Sequence, residues 1–337
     1  MTLRGARVML AAALLAAANA QAAYDYRAYG TAISEILGSL AKRDFAKLDG
    51  IYAAYLARPT RTADGTWMLK AFPAAFEAIF PSYPQGQVEE IFRDWKTRDP
   101  DSPLRPLAEA FAWQERAWAA KGGGCYQQSS SSQRTAFNAL LDRSAASLRE
   151  AESKGRDSPL WHVAAILVAG GQLRPAADLD GLLRESSSRF PGFEPLYAAR
   201  MSFFTPAWGG DFGELDRFIR ASAAQTQATE GRALYAWLYL DLAATPGCNN
   251  LFEQSQVSWP DMKAAFDDML DRHPDVHNLN VYATFACRER DVETTVRLLA
   301  KLGSEARLGM WSRGVSTDSC RAMIRNADPL AGREQGT

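Results

Sequence analysis

The sequence predicts an all-α fold, an α-solenoid of stacked helical hairpins. Three observations carry this. Apolar residues recur at helical spacing through nearly the whole chain after Tyr24. Extended period-two alternation is absent, so neither strands nor hairpins are expected. The stretches between helices are short and carry Asp, Ser or Pro where one helix ends and the next begins.

Taken in order, the first 22 residues read as a secretory signal peptide. Arg4 and Arg7 make a basic start, Val8 to Ala18 is an unbroken apolar run, and Ala18-Asn19-Ala20 and Ala20-Gln21-Ala22 offer small-x-small cleavage sites. The run falls well short of the roughly 20 residues that span a bilayer. Cleavage after Ala22 would leave 315 residues with 36 Lys and Arg against 39 Asp and Glu, a net charge of −3. That balance argues against nucleic acid, which needs a concentrated basic surface. No later stretch is apolar and long enough for stable membrane insertion. The alanine-rich leader points to the periplasm or secretion.

Tyr24, Tyr26 and Tyr29 fit an opening helix on the solenoid. Asp101-Ser102-Pro103 and Asp157-Ser158-Pro159 repeat one device, Ser as N-cap and Pro at the first helical position. Lys121 to Gln133, with three glycines and four serines, reads as a flexible loop, a possible hinge. A helix over roughly 133–152 follows, with Phe137, Leu140, Leu141, Ala145 and Leu148 on one stripe. Asp211 with Glu214 opens a helix carrying Leu215, Phe218, Ile219 and Ser222. Leu234, Trp237, Leu238 and Leu242, flanked by Tyr235 and Tyr239, mark a helix apolar nearly all round and therefore central. Thr245 to Ser258 is irregular, and Asp291 opens a helix with Val292, Val296 and Leu299. Arg189 to Glu194 and Arg272 to His277 are both Pro-containing connectors. The expected organisation is a helical-repeat domain over 23–325, with the loop at 121–133 and a polar tail at 326–337. No strict 34-residue period is present, so the hairpins are degenerate and tetratricopeptide-like.

Four cysteines, Cys125, Cys248, Cys287 and Cys320, permit disulfides in an exported protein. Cys248–Cys287 is the expected bond, because helices two apart in an up-and-down stack present their C-terminal ends on one side. Cys320 competes for Cys287 if the chain folds back after Gly303. Cys125 is expected to stay unpaired.

The chain resembles an uncharacterised bacterial family of unknown function with tetratricopeptide-like helices. The matching residues are Trp95 with Pro100-x-Ser102, Ala117-Trp118 before Lys121-Gly122, Pro206-x-Trp208-Gly209-Gly210, Trp259-x-x-Met262, Ala286-Cys287 with Asp291, and Trp311, over about 45–315. Lys121 stands where Arg is usual, and Asp211 where Ser is. The resemblance implies a fold and no reaction.

No constellation demands catalysis. In Pro206-Ala207-Trp208-Gly209-Gly210-Asp211, Pro206 would stop the preceding helix, Trp208 would seal the joint, the glycines would supply φ > 0, and Asp211 would cap the next helix. The alternative is a backbone nest for an anion. His273 and His277 have metal-ligand spacing, but Pro274 breaks the helix between them. His273 reads instead as a cation favoured at a helix C-terminus. Glu152-Ser153 and Glu185-Ser186 lack the rest of a transglycosylase motif. Gly122-Gly123-Gly124 is no phosphate loop, and Cys125 has no local basic partner. Neither metal nor cofactor is expected. The expectation is a non-enzymatic scaffold or binding protein whose concave groove holds a segment of another protein. The alternative is a cell-wall glycan-binding or glycan-processing protein, with some of the aromatics, which make 11% of the chain, lining its groove.

Overall fold

The structure, a computed structural model, describes residues 28–122, 125–244, 251–308 and 315–327. The signal-peptide residues, Tyr24, Tyr26, Cys248 and most of the polar tail lie outside them. The described fold is all-α, as the sequence predicts, with one isolated antiparallel bridge between Arg61 and Trp67.

The first helix, α1, is described over 28–41. α2 (Phe45–Ala57) is followed by a non-helical stretch and a 3-10 turn at Met68–Lys70. Then come α3 (Ala71–Ile79), α4 (Gln85–Arg98), α5 (Arg105–Lys121), α6 (Ser131–Gly155), α7 (Pro159–Gly171), α8 (Ala176–Arg189) and α9 (Glu194–Met201). The rest are α10 (Phe212–Gln225), α11 (Gln227–Glu230), α12 (Ala233–Ala244), α13 (Leu251–Gln254), α14 (Trp259–Arg272), α15 (Val276–Arg288), α16 (Val292–Leu302) and α17 (Thr317–Ala327). Most helices pack on near neighbours in sequence: α5 on α6, α6 on α7, α7 on α8 and α9, α9 on α12, α12 on α14, α14 on α15, α15 on α16.

The caps explain the boundaries. Ser158 accepts from Leu160 N and places Pro159 first in α7, as expected. The parallel device at Asp101-Ser102-Pro103 works two residues later than expected. Ser102 Oγ accepts from Arg105 N at 3.0 Å, α5 begins at Arg105, and Pro106 occupies its first turn. The serine run does not all belong to the loop. Ser130 and Gln133 form a reciprocal capping box, so Ser131 and Ser132 are already helical, and Tyr126–Gln128 is a 3-10 turn. Serine is a weak helix former in mid-helix but a strong one at this end.

α12 is buried nearly all round, as read from its sequence. α16 opens at Asp291 as expected; Val296 is exposed, and the helix buries Thr294, Thr295, Leu298 and Leu302. Thr295 can enter the core because its hydroxyl donates to Asp291 O at 2.7 Å. A run of rings ties the N-terminal helices together. Phe45 stacks on Trp95 at 4.7 Å, Phe92 lies 6.2 Å beyond Trp95, and Phe80 and Phe76 continue the row.

The expected Cys248–Cys287 bond is overturned: Cys287 is bonded to Cys320, with Cα atoms 5.7 Å apart. After Gly303 the chain returns, and α17 packs on α16. The competing pairing is the one formed: the fold-back after Gly303 brings Cys320 of α17 to Cys287. Cys125, expected to be unpaired, is also disulfide-bonded. No described helix is long and apolar enough to cross a membrane.

Candidate functional site

One segment breaks the neighbour-only packing. Thr60 to Lys70 forms a strap, folded on itself at Asp64-Gly65. Thr62 N donates to Thr66 O at 2.9 Å and Met68 N to Thr60 O at 3.0 Å. Asp64 Oδ1 accepts from Thr66 N at 2.9 Å. Gly65 takes φ +94°, which a side chain would resist.

The strap crosses the Pro-containing connectors. Trp67 Nε1 and Arg61 Nη2 both donate to Gly192 O, at 2.9 and 3.0 Å. Lys70 pairs with Glu194 at the start of α9. Arg61 forms a two-point pair with Glu230 at the end of α11, Nη1 to Oε2 at 3.0 Å and Nη2 to Oε1 at 2.5 Å. Asn278 Nδ2 reaches back from α15 to Asp64 O at 2.9 Å. The Arg61 guanidinium also lies over the Trp67 ring, 3.9 Å from its centroid. Burial pulls the Lys70 ammonium down, but Glu194 and Asp241 outweigh it and hold it charged. Burial lifts the Asp241 carboxyl to about 6.

Between the strap and these connectors is a cleft of about 330 Å³. Tyr55, Trp67, Leu69, Phe190, Pro191 and Phe193 give it apolar walls. Its four charged residues are matched internally: Arg61 with Glu230, and Arg189 with Asp157 at 2.6 Å. The cleft therefore presents no unpaired charge on its lining.

The residues singled out in the sequence are elsewhere. Gly209 has φ +88°, as expected of the Pro206–Asp211 block. Gly210 is constrained differently: a Cβ there would lie 2.2 Å from Phe204 O. Asp211 Oδ1 accepts from Gly213 N and Glu214 N at 2.7 and 2.9 Å, capping α10. Pro206 does not stop α9, which ends at Met201; it opens a separate 3-10 turn to Trp208. Trp208 packs on Trp118, Tyr126 and Phe203 with centroids 5.0–5.4 Å apart, joining this block to the α5–α6 connection.

His273 and His277 do not converge. His277 N bonds to the Asp275 cap, and no group of three metal-ligating side chains exists among the described residues. Nor is His273 a helix-end cation. Its ring is packed against the strap, and burial with the Arg61 charge holds its pKa below the ordinary value. Glu152 and Glu185 both lie against Arg156, at 3.3 and 3.5 Å, in half-exposed ion pairs. The strap and Arg61 escaped the sequence reading, although Asp64-Gly65 is a hairpin-turn dipeptide. Comparison of the chain with protein-family models, with curated proteins and with solved structures gives no match, so the geometry carries the functional argument alone.

Proposed function

We propose that this chain is an exported, non-enzymatic binding protein that holds an uncharged, apolar segment of a partner protein in the strap cleft. The supporting observation is the cleft. Its volume, about 330 Å³, is within the roughly 300–1,000 Å³ of ligand sites. Its walls are aromatic and prolyl, and its one buried ion pair, Arg61–Glu230, is closed on itself, so a charged ligand would have to break that pair to be recognised within the cleft. Stacked tetratricopeptide-like hairpins, the arrangement proposed from sequence, offer connectors along one edge against which such a strap can lie.

The glycan-processing alternative needs two carboxylates free to act across one bond. The carboxylates on this cleft, Asp157 and Glu230, each hold an arginine. A displayed-peptide library panned on the purified protein tests the proposal. Enriched peptides should be apolar and uncharged, and Phe190→Glu should abolish their binding without unfolding the protein. No enrichment, or binding indifferent to Phe190→Glu, would overturn the reading. Glycan binding that Phe190→Glu abolishes would replace it with the alternative.

A further inference from the structure

We propose that His273 is an acid-sensitive latch on the strap: its neutral imidazole lets Thr60–Met68 lie closed, and its protonation loosens the strap and opens the cleft. The consequence for binding rests on the cleft reading above. The latch itself is a property of the unliganded protein.

His273 follows the last residue of α14, immediately before Pro274. Its Nε2 lies 3.5 Å from Arg61 Nη1. A guanidinium has only hydrogens to offer, so the nitrogen facing it is the acceptor and the ring proton belongs on Nδ1. The ring also presses on the tip of the strap, since a Cβ at Gly65 would lie 2.9 Å from His273 Cδ2. The Trp237 ring stands 5.8 Å away. Asn278 Nδ2 ties connector to strap, donating to His273 O and Asp64 O, both at 2.9 Å.

The charged groups facing the ring are Arg61 and Asp64 from the strap, Glu230 from α11, and Arg272 beside it on α14. Asp275 follows at the start of α15. Each acid already holds a donor on at least one oxygen. Both Glu230 oxygens hold Arg61, Asp64 Oδ1 holds Thr66 N, and Asp275 Oδ1 holds His277 N. Arg272 is turned to Thr229 O and Asp268 O. A proton on Nε2 would therefore set a second cation against Arg61, whose carboxylate partner Glu230 has both oxygens already engaged. Burial and Arg61 accordingly lower the His273 pKa. A histidine held below its ordinary value stabilises the closed form above about pH 6.5, and that stability is lost as pH falls towards the folded value. Acid, not base, is the opening direction.

The test is amide exchange at Thr62, Gly65 and Met68, whose N–H groups are bonded within the strap. Rates are corrected for the intrinsic effect of pH. If opening frees His273 to its ordinary pKa, the open fraction should rise by up to about tenfold between about pH 7.5 and pH 5.5. His273→Gln should flatten that response. The ring resonances of His273 in the wild-type protein should titrate below the free-histidine value, a check that needs no variant. The proposal fails if wild-type protection does not change, if His273→Gln responds like wild type, or if the ring titrates at or above the free value. Failure of peptide binding with a working latch would sink the cleft reading and leave this inference standing.

Discussion

Arg61 and Glu230, 169 residues apart in sequence, share two hydrogen bonds of 3.0 and 2.5 Å and bring the loop after α2 to the end of α11. Both side chains are largely buried, at 16% and 6% exposure, so each charge depends on the other. Arg61→Ala or Glu230→Ala alone should cost about 3 kcal/mol, because the remaining charge is stranded. The double variant Arg61→Met/Glu230→Leu should cost far less than the two single losses together. Urea unfolding of the four proteins measures this, and additive losses would show that the pair does not act as a unit.

At the Pro206–Asp211 block the two glycines should respond unequally. Gly209→Ala meets only an unfavourable φ and should cost about 1 kcal/mol. Gly210→Ala would place its Cβ 2.2 Å from the Phe204 carbonyl oxygen, backbone that cannot step aside, and should cost clearly more. Thermal unfolding ranks them; the reverse order would mean the turn is built differently.

Peptide mapping without reductant should recover a Cys287–Cys320 linkage and no Cys248–Cys287 linkage. The bond closes 33 residues of sequence, for which chain entropy gives about 3–4 kcal/mol. A Cys287→Ala/Cys320→Ala protein should lose stability on that scale and show faster amide exchange in α17 than wild type does. Unchanged exchange there would show that α16 contacts suffice to hold α17.

Burial, with a smaller push from Glu77, lifts the Glu115 carboxyl to about 8. A raised acid binds a proton in the folded state that the unfolded chain releases, so its stabilisation is present at low pH. It is lost as pH rises from the ordinary carboxyl range towards 8. Glu115→Gln should therefore be more stable than wild type at pH 8, with the gap closing towards acid. Denaturant midpoints at several pH values check this, and a gap that widens on acidification would contradict it.

Much of the fold was legible in the sequence because helix ends are local chemistry. Ser158-Pro159, Asp211 and Asp291 cap the helices they announce, and the apolar circumference of α12 identified a buried helix. What escaped was long-range. Nothing near Arg61 in sequence indicates that its partner stands at Glu230, and the choice between Cys248 and Cys320 as partner of Cys287 turned on whether the chain folds back after Gly303, which no local signal decides. His273 looked like a solvated helix-end cation because the strap that buries it is about 200 residues upstream. The buried face of α16 was not legible because threonines, polar by composition, enter a core once their hydroxyls bond the helix backbone. The strap left one local trace, Asp64-Gly65 between two threonines, too short to read as a strand pair.

Titration calorimetry of a library-selected peptide, at low salt and at about 0.5 M salt, tests the central claim most directly. Surface charge is strongly screened at the higher concentration. A cleft whose charges are already paired predicts nearly equal affinity at both, a negative heat-capacity change from apolar burial, and no binding to Phe190→Glu. Affinity that collapses with salt, or survives in Phe190→Glu, would contradict the account.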